Sequence, residues 1–400
     1  MSTRTKATVL VVSLLVVAYV GLGAVLGRTA SEGAYRQLAV FSEVLAHIQN
    51  NYVEDPNMPR VTVGALRGLL EALDPYSTYL SPREYARYQQ QAKNPPAGDV
   101  GVVLSKRLGM VSVIAVLPDS PAMKAGLRTG DLLESVAGYS SRDMSVDQAY
   151  QLLAGEPGSV VKVSIVREQR ADPQETDLVR ARLRPAKVVS GKLEGDIGYL
   201  KVASLEAGRA AEIRGALQQL RGQGVEKLIL DLRGCAAGSP EEGVETARLF
   251  LSSGTITFAQ GQRYPKQTFQ AAPDKVAWNG PLTVLINPGT AGAAEIVAAA
   301  VQENDRGELV GQRSYGVGSV MKVIPLEDGS ALILAVAKYY TPSGKAIPEH
   351  AVEPTVTVEQ PAEQVLAPLP NALPAPGDAV VNKALEVLRG DEARSPRRAA

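Results

Sequence analysis

Apolar side chains recur at intervals of three and four from residue 38 to residue 52, as Leu38, Phe41, Leu45, Ile48 and Tyr52. That period places one hydrophobic stripe along an amphipathic helix. A second run of the same kind covers residues 61–73 and stops at Asp74-Pro75, where a helix cannot continue. Beyond residue 190 the pattern changes to short apolar blocks at 197–202, 227–232, 282–286 and 331–337, which read as buried strands. Amphipathic segments at 210–221, 240–251 and 293–302 lie between them. This alternation predicts strands sandwiched by helices. Pro361, Pro368, Pro370, Pro374 and Pro376 then predict an extended linker, followed by a short helix at 380–388. The expected class is α/β with mixed α+β character.

Residues 7–27 carry no charge and are almost wholly apolar, with Arg4 and Lys6 before them and Arg28 after. Twenty-one residues at about 1.5 Å each reach about the 30 Å of a bilayer core. The cleavage-site pattern near Gly27-Arg-Thr-Ala30 is weak, so an uncleaved signal anchor is expected in preference to a cleaved signal peptide. The basic residues ahead of the run favour a cytoplasmic N-terminus and an exported remainder. The rest of the chain is ordinary globular material: 45% hydrophobic, 21% charged, with 42 basic and 42 acidic side chains among 400 residues. No basic patch interleaved with aromatics points to nucleic acid. Two isolated histidines, His47 and His350, and one cysteine, Cys235, make no metal constellation, and no cofactor is expected. One cysteine closes no intramolecular disulfide, and burial is its expected environment.

The most specific patterns lie near residues 230–238 and 287–321. Asn287-Pro-Gly-Thr-Ala-Gly-Ala-Ala-Glu295 and Gly311-Gln-Arg-Ser-Tyr-Gly-Val-Gly-Ser-Val-Met321 resemble the core of the C-terminal processing peptidases, or tail-specific serine proteases. In that family the first stretch reads about S-A-S-A-S-E and carries the nucleophile. The second reads about T-F-G-K-G-x-V-Q and carries a lysine base and a supporting glutamine. Here those slots hold Gly292, Val317 and Met321. The separations of 25 and four positions agree with the family, and Glu295, Gly316 and Gly318 fix the register on both sides. Leu230-Asp-Leu-Arg-Gly-Cys-Ala-Ala-Gly238 resembles the family's L-D-L-R-G-N-P-G-G loop, whose N–H groups help form the oxyanion hole. Its Asn, Pro and first paired Gly are here Cys235, Ala236 and Ala237. Alanine is poorly tolerated where φ is positive, so a misshapen hole is expected. Leu73-Asp-Pro-Tyr-Ser-Thr-Tyr-Leu80, Tyr339-Tyr-Thr-Pro-Ser-Gly-Lys-Ala-Ile347 and Val352-Glu-Pro354 match further family motifs, so the likeness runs from about 35 to 358.

Residues 97–185 resemble a PDZ domain of the bacterial protease type, most clearly at Ser120-Pro-Ala-Met-Lys-Ala-Gly-Leu-Arg-Thr-Gly-Asp-Leu-Leu133. The resemblance implies a peptide-binding groove. One side is the loop and strand of Asp99, Val100, Gly101, Val102 and Leu104; the other is a helix over 145–154 presenting Val146, Ala149 and Leu153. An extended tail would pair with the strand edge while its carboxylate sits among backbone N–H groups. Asp99 places a negative charge near that carboxylate.

The expected organisation is a signal anchor or signal peptide (1–30), a helical region (31–96), the PDZ domain (97–185), a protease-type core of ClpP/crotonase-like α/β fold (186–358), and a Pro-rich linker with short helix and basic tail (359–400). A serine–lysine pair needs a hydroxyl to attack and an amine to take its proton, and glycine and valine supply neither. The expectation is therefore a catalytically inactive pseudoenzyme that holds C-terminal tails of exported proteins, as a scaffold or regulator of an active paralogue or adaptor. Self-association into a homo-oligomer stays open. The alternative is an active serine-type endopeptidase with a displaced nucleophile and base, drawn from Thr290, Ser314, Ser319 and Lys322.

Overall fold

The computed structural model describes residues 37–167, 170–367 and 369–390. They fall into two units, one ending at Ala65 and one running from Leu66 onward. The first unit contains helix α1 (residues 37–51), where Phe41, Leu45 and Ile48 are half-buried, while Leu38 and, just past its end, Tyr52 are exposed. Helix α2 (Met58–Glu71) begins three residues before the predicted start and ends two before the predicted stop. The uncharged run at 7–27 and the basic tail at 394–400 lie outside the described residues. Among the described residues, no helix is long and apolar enough to cross a membrane.

In the second unit, strand β1 (Thr78–Leu80) and helix α3 (Pro82–Lys93) precede the PDZ domain. That domain comprises β2 (Val102–Arg107), β3 (Met110–Val116), the short α4 (Pro121–Lys124), β4 (Leu132–Val136), β5 (Tyr139–Ser140), α5 (Val146–Leu153), β6 (Val160–Arg167) and β7 (Arg170–Val179). The strands form an antiparallel sheet in the order β2-β3-β4-β6-β7, with β5 beside β4. Ser145 starts α5 through a reciprocal cap: its hydroxyl accepts from the Gln148 N–H at 3.1 Å, and the Gln148 amide oxygen accepts from the Ser145 N–H at 2.9 Å.

The core begins with β8 (Val189–Glu194), β9 (Ile197–Lys201), β10 (Ser204–Leu205), α6 (Arg209–Gly222), β11 (Lys227–Asp231), β12 (Ala237–Gly238) and α7 (Pro240–Arg248). It continues with β13 (Thr255–Gln260), β14 (Gln267–Gln270), β15 (Leu282–Ile286), α8 (Ala293–Glu303), β16 (Glu308–Gly311), β17 (Ser319–Pro325), β18 (Ala331–Tyr340), α9 (Ile347–His350) and β19 (Val356–Thr357). Six strands pair in the order β19-β16-β15-β11-β9-β8, all parallel except the β8–β9 hairpin. Side chains alternate across this sheet as strand geometry requires. Leu228, Leu230, Val284 and Ile286 pack with residues of α6, α7 and α8 on one face, and Ile229, Leu285 and Val310 pack with the opposite cover. A second sheet, β1-β18-β13-β14 with β17 beside β18, flanks it.

The opposite cover corrects the expected linker. After the short α10 (Ala362–Val365), the chain is pinned and not free: the Leu366 carbonyl accepts from the Thr129 N–H of the PDZ domain at 3.2 Å. Helix α11 (Ala379–Arg389) then buries Val380, Val381 and Ala384 against the main sheet. Each of those valines contributes about 1.5–3 kcal/mol of burial, which explains why this segment folds back despite its prolines. Asp378 caps α11, accepting from the Val380 and Val381 N–H groups at 3.0 and 3.2 Å.

Candidate active site

Three loops meet at the carboxyl ends of β11, β15 and β16, where parallel α/β sheets place their sites. The first, residues 232–238, is shaped by Gly234 (φ 73°) and Gly238 (φ 136°). Cys235, Ala236 and Ala237 are absent from the positive-φ residues. This corrects the expectation of a misshapen oxyanion loop. The left-handed positions fall on glycines that are present, and the alanines sit where alanine is unstrained. At Gly238 even a Cβ would come within 2.2 Å of the Leu205 carbonyl oxygen.

Under this loop lies a buried charge network. Arg233 binds Asp231 at 2.7 Å and Asp378 at 2.8 Å, while Lys201 lies 3.8 Å from Asp231. Tyr199 donates to Asp231 at 2.6 Å. Burial pushes the Asp231 carboxyl up, but the Arg233 and Lys201 charges outweigh it and hold the group well below the usual carboxylate range. Two cations and two carboxylates balance, which is the condition for tolerating charges out of water. Cys235 is buried, and burial pushes its thiol up to about 12, so it is no thiolate nucleophile.

The second loop is knitted to the first. Asn287 Oδ1 accepts from the Gly234 and Gly289 N–H groups, each at 3.0 Å. Thr290 is fully buried; its hydroxyl accepts from the Asn287 N–H at 3.0 Å and donates to the Leu232 carbonyl at 2.9 Å. It is structural. Gly292 leads into α8 at φ 61°, ψ −118°, a conformation glycine adopts freely but a residue with a side chain only under strain, of the kind that exposes a nucleophile at a strand-to-helix elbow. A Cβ added there would meet only the Ala236 carbonyl oxygen, at 4.0 Å. The backbone posture is kept and the side chain is missing.

Glu295 joins the second loop to the third. Its fully buried carboxylate accepts from the Gly292 N–H at 2.9 Å and from the Gly316 and Val317 N–H groups at 2.7 Å each. It also accepts from the Ser314 hydroxyl. Burial pushes this carboxyl up to about 7, against the four donated hydrogen bonds that favour its charged form. Ser314 is committed twice, since its oxygen also accepts from the Val352 N–H at 2.8 Å. Val317 contributes a backbone N–H to the clamp and no chemistry of its own.

A cleft of about 1400 Å³ opens between the PDZ domain and the core, with Ser314, Gly316, Ser319 and Lys322 in its wall. A bulge between Val320 and Met321 in β17 decides which side chains share a face. Ser319 lies opposite Lys338 and Lys322 opposite Leu334, four positions apart on β18, so Ser319 and Lys322 share one face. Met321, opposite Ala335, takes the other face and is 37% exposed. Neither Ser319 nor Lys322 is committed to a hydrogen bond or ion pair with the described residues. Without the bulge, a spacing of three would have separated them.

In the PDZ domain, Val100, Gly101, Val102, Leu104, Val146, Ala149 and Leu153 are all buried, and all but Gly101 belong to the domain's hydrophobic cluster. Two backbone N–H groups on its loop-and-strand side are engaged internally. Asp99 Oδ1 accepts from the Gly101 N–H at 2.7 Å, and the Tyr150 hydroxyl accepts from the Leu104 N–H at 2.7 Å. Sequence reasoning missed Tyr150, the Glu295 clamp and the Ser319–Lys322 face.

A sequence profile described as peptidase family S41 matches residues 196–358, and one described as PDZ domain matches 112–167. A carboxy-terminal-processing protease of Bartonella bacilliformis is 30% identical over 335 residues, spanning 82% of this chain and 77% of its own. A carboxyl-terminal-processing protease of Synechocystis is 30% identical over 351 residues, spanning 86% and 81%. The solved photosystem II D1 C-terminal processing protease superposes with a TM-score of 0.66 at 27% identity, covering 80% of this chain and 92% of its own. These likenesses overturn the expectation of an inactive tail-binding scaffold: the relatives matched over most of their length are named as proteases. The vacancies at Gly292, Val317 and Met321 exclude hydrolysis through those three side chains and nothing wider.

Proposed function

Because the chain belongs to the carboxy-terminal-processing protease family of peptidase family S41, we propose that it is a serine-type endopeptidase in which a displaced pair, Ser319 and Lys322, takes the roles of nucleophile and base. The observation that carries this reading is the β17 bulge, which puts both side chains on one face in the wall of the interdomain cleft. Neither is held by another partner among the described residues, whereas the nearby hydroxyls of Thr290 and Ser314 are locked into the loops. In the reaction, Ser319 Oγ attacks the scissile carbonyl carbon and Lys322 Nζ accepts the hydroxyl proton. That proton passes to the departing amine as the peptide C–N bond breaks, leaving an acyl-enzyme that water hydrolyses.

The substrates are C-terminal segments of exported proteins, and the PDZ domain holds their ends. The uncharged run at residues 7–27, flanked by basic residues, supports a location in the cell envelope, with the bulk of the chain outside the cytoplasm. A digestion assay on an unfolded substrate tests the catalytic reading, with Ser319→Ala and Lys322→Ala beside the wild type and a Gly292→Ser, Val317→Lys double variant as comparison. The expected result is cleavage by the wild type that falls at least a hundredfold in either single variant. Wild-type protein that cleaves nothing, or cleavage that survives Ser319→Ala, overturns the assignment.

A further inference from the structure

The interdomain cleft is larger than a small-molecule pocket, which typically encloses about 300–1,000 Å³, and its charge is one-sided. Six cationic side chains line it, Lys106, Arg107, Arg263, Arg313, Lys322 and Lys338, against two acidic ones, Asp74 and Glu349. Three of the six are neutralised: Lys106 by Glu71 at 2.8 Å, Arg313 by Glu353 at 3.1 Å, and Lys338 by Glu349 at 2.6 Å. Arg107 and Arg263 have no acidic partner among the described residues and are exposed. Arg107 ends β2 on the PDZ side, and Arg263 lies between β13 and β14 on the core side, so each domain supplies one.

An acceptor-rich, anionic ligand would satisfy the two free guanidiniums. Apolar side chains such as Leu73, Tyr264, Ile324, Leu334 and Tyr340 also line the cleft, and its size suits an extended chain rather than a compact ion.

We infer that this cleft selects acidic, extended peptide segments, with carboxylates of the peptide seated on Arg107 from one domain and Arg263 from the other. The inference rests on the reading of the cleft as a peptidase's substrate site, and it names the substrate class. The two guanidiniums hold a peptide across the domain boundary by charge, and the apolar wall takes the residues between its carboxylates.

The test is fluorescence anisotropy on the full chain with three labelled ten-residue peptides of one apolar pattern. They carry three Asp/Glu residues, three Asn/Gln residues or three Lys residues, and all are amidated at the C-terminus so that terminal-carboxylate capture by the PDZ domain does not contribute. The acidic peptide should bind at least tenfold tighter than its amide twin, and the Lys peptide more weakly than both. The preference should weaken as salt is raised. Arg107→Gln and Arg263→Gln should each cost the acidic peptide about threefold and together reduce it to the level of the amide twin. Both arginines are exposed, and an unchanged urea midpoint confirms that the variants fold. Equal binding of the three peptides, or an acidic preference that survives the double variant, overturns the inference. Acid-selective binding without any cleavage would instead overturn the catalytic reading, and Ser319-dependent cleavage without acid preference would overturn this one alone.

Discussion

Replacing Gly292 tests whether its backbone really holds an elbow posture with an empty side-chain slot. At φ 61°, ψ −118° an L-residue pays backbone strain of about 1–3 kcal/mol. The space around the added Cβ adds nothing, because its nearest neighbour is the Ala236 carbonyl oxygen at 4.0 Å, ordinary contact distance. Gly292→Ala and Gly292→Ser should therefore lose the same stability within error, about 1–3 kcal/mol, with the fold intact. Gly238→Ala provides the contrast. Its φ of 136° is equally hostile, and its Cβ would lie 2.2 Å from the Leu205 carbonyl oxygen, so a clash adds to the strain. That variant should lose well over 3 kcal/mol or fail to fold. Urea unfolding followed through the fluorescence of Trp278, the only tryptophan and a fully buried one, reads all three. If Gly292→Ser costs nothing, the strained posture is absent. If Gly292→Ala costs as much as Gly238→Ala, the open slot is absent.

Glu295 should make stability depend on pH in a definite direction. Its carboxyl sits at about 7 when folded against about 4.3 for a free glutamate, so its contribution is fully present below about pH 4 and is lost as pH rises through 7. The whole step is roughly 3 kcal/mol; Glu295→Gln should remove that step from a urea-midpoint series, and an unaltered pH profile would refute the assignment. Asp99→Gly should free the Gly101 N–H and strengthen PDZ binding of a peptide with a free C-terminus over its amidated twin, measured by titration; equal binding of the twins in both proteins would remove the idea of carboxylate capture. Asp378→Ala removes a partner of Arg233 and the cap of α11, and should cost about 1–3 kcal/mol, visible as faster amide exchange across α11; unchanged exchange there would show the tether to be idle.

Periodicity was enough for the main elements. The strand at 282–286 coincides with β15, and α8 differs from the expected 293–302 by one residue, because both are apolar runs buried almost throughout. Ends were less legible: the helix expected over 240–251 stops at Arg248, three residues early. The family motifs located the three loops correctly, yet they misread the consequence of Cys235, Ala236 and Ala237, since φ belongs to the backbone and one residue's identity does not fix it. The shared face of Ser319 and Lys322 was illegible for a related reason. A bulge is set by pairing with β18, and strict alternation would have put the two side chains on opposite faces. The Pro-rich tail failed the linker rule because its anchors, Arg233, Asn287 and Thr129, lie more than seventy residues away in sequence.

That tail has a mechanical consequence. One peptide segment touches both the PDZ domain and the core: the Leu366 carbonyl is bonded to Thr129 in the PDZ domain, the neighbouring Val365 carbonyl to Asn287 in the core at 3.4 Å, and Asp378 to Arg233 beneath the loop at 232–238. It behaves as a belt threaded through two buckles. A widening of the interdomain cleft would load these fastenings, and the load would reach the end of β11, from which the loop at 232–238 departs. The width of the cleft and the shape of that loop would then be coupled through one tail.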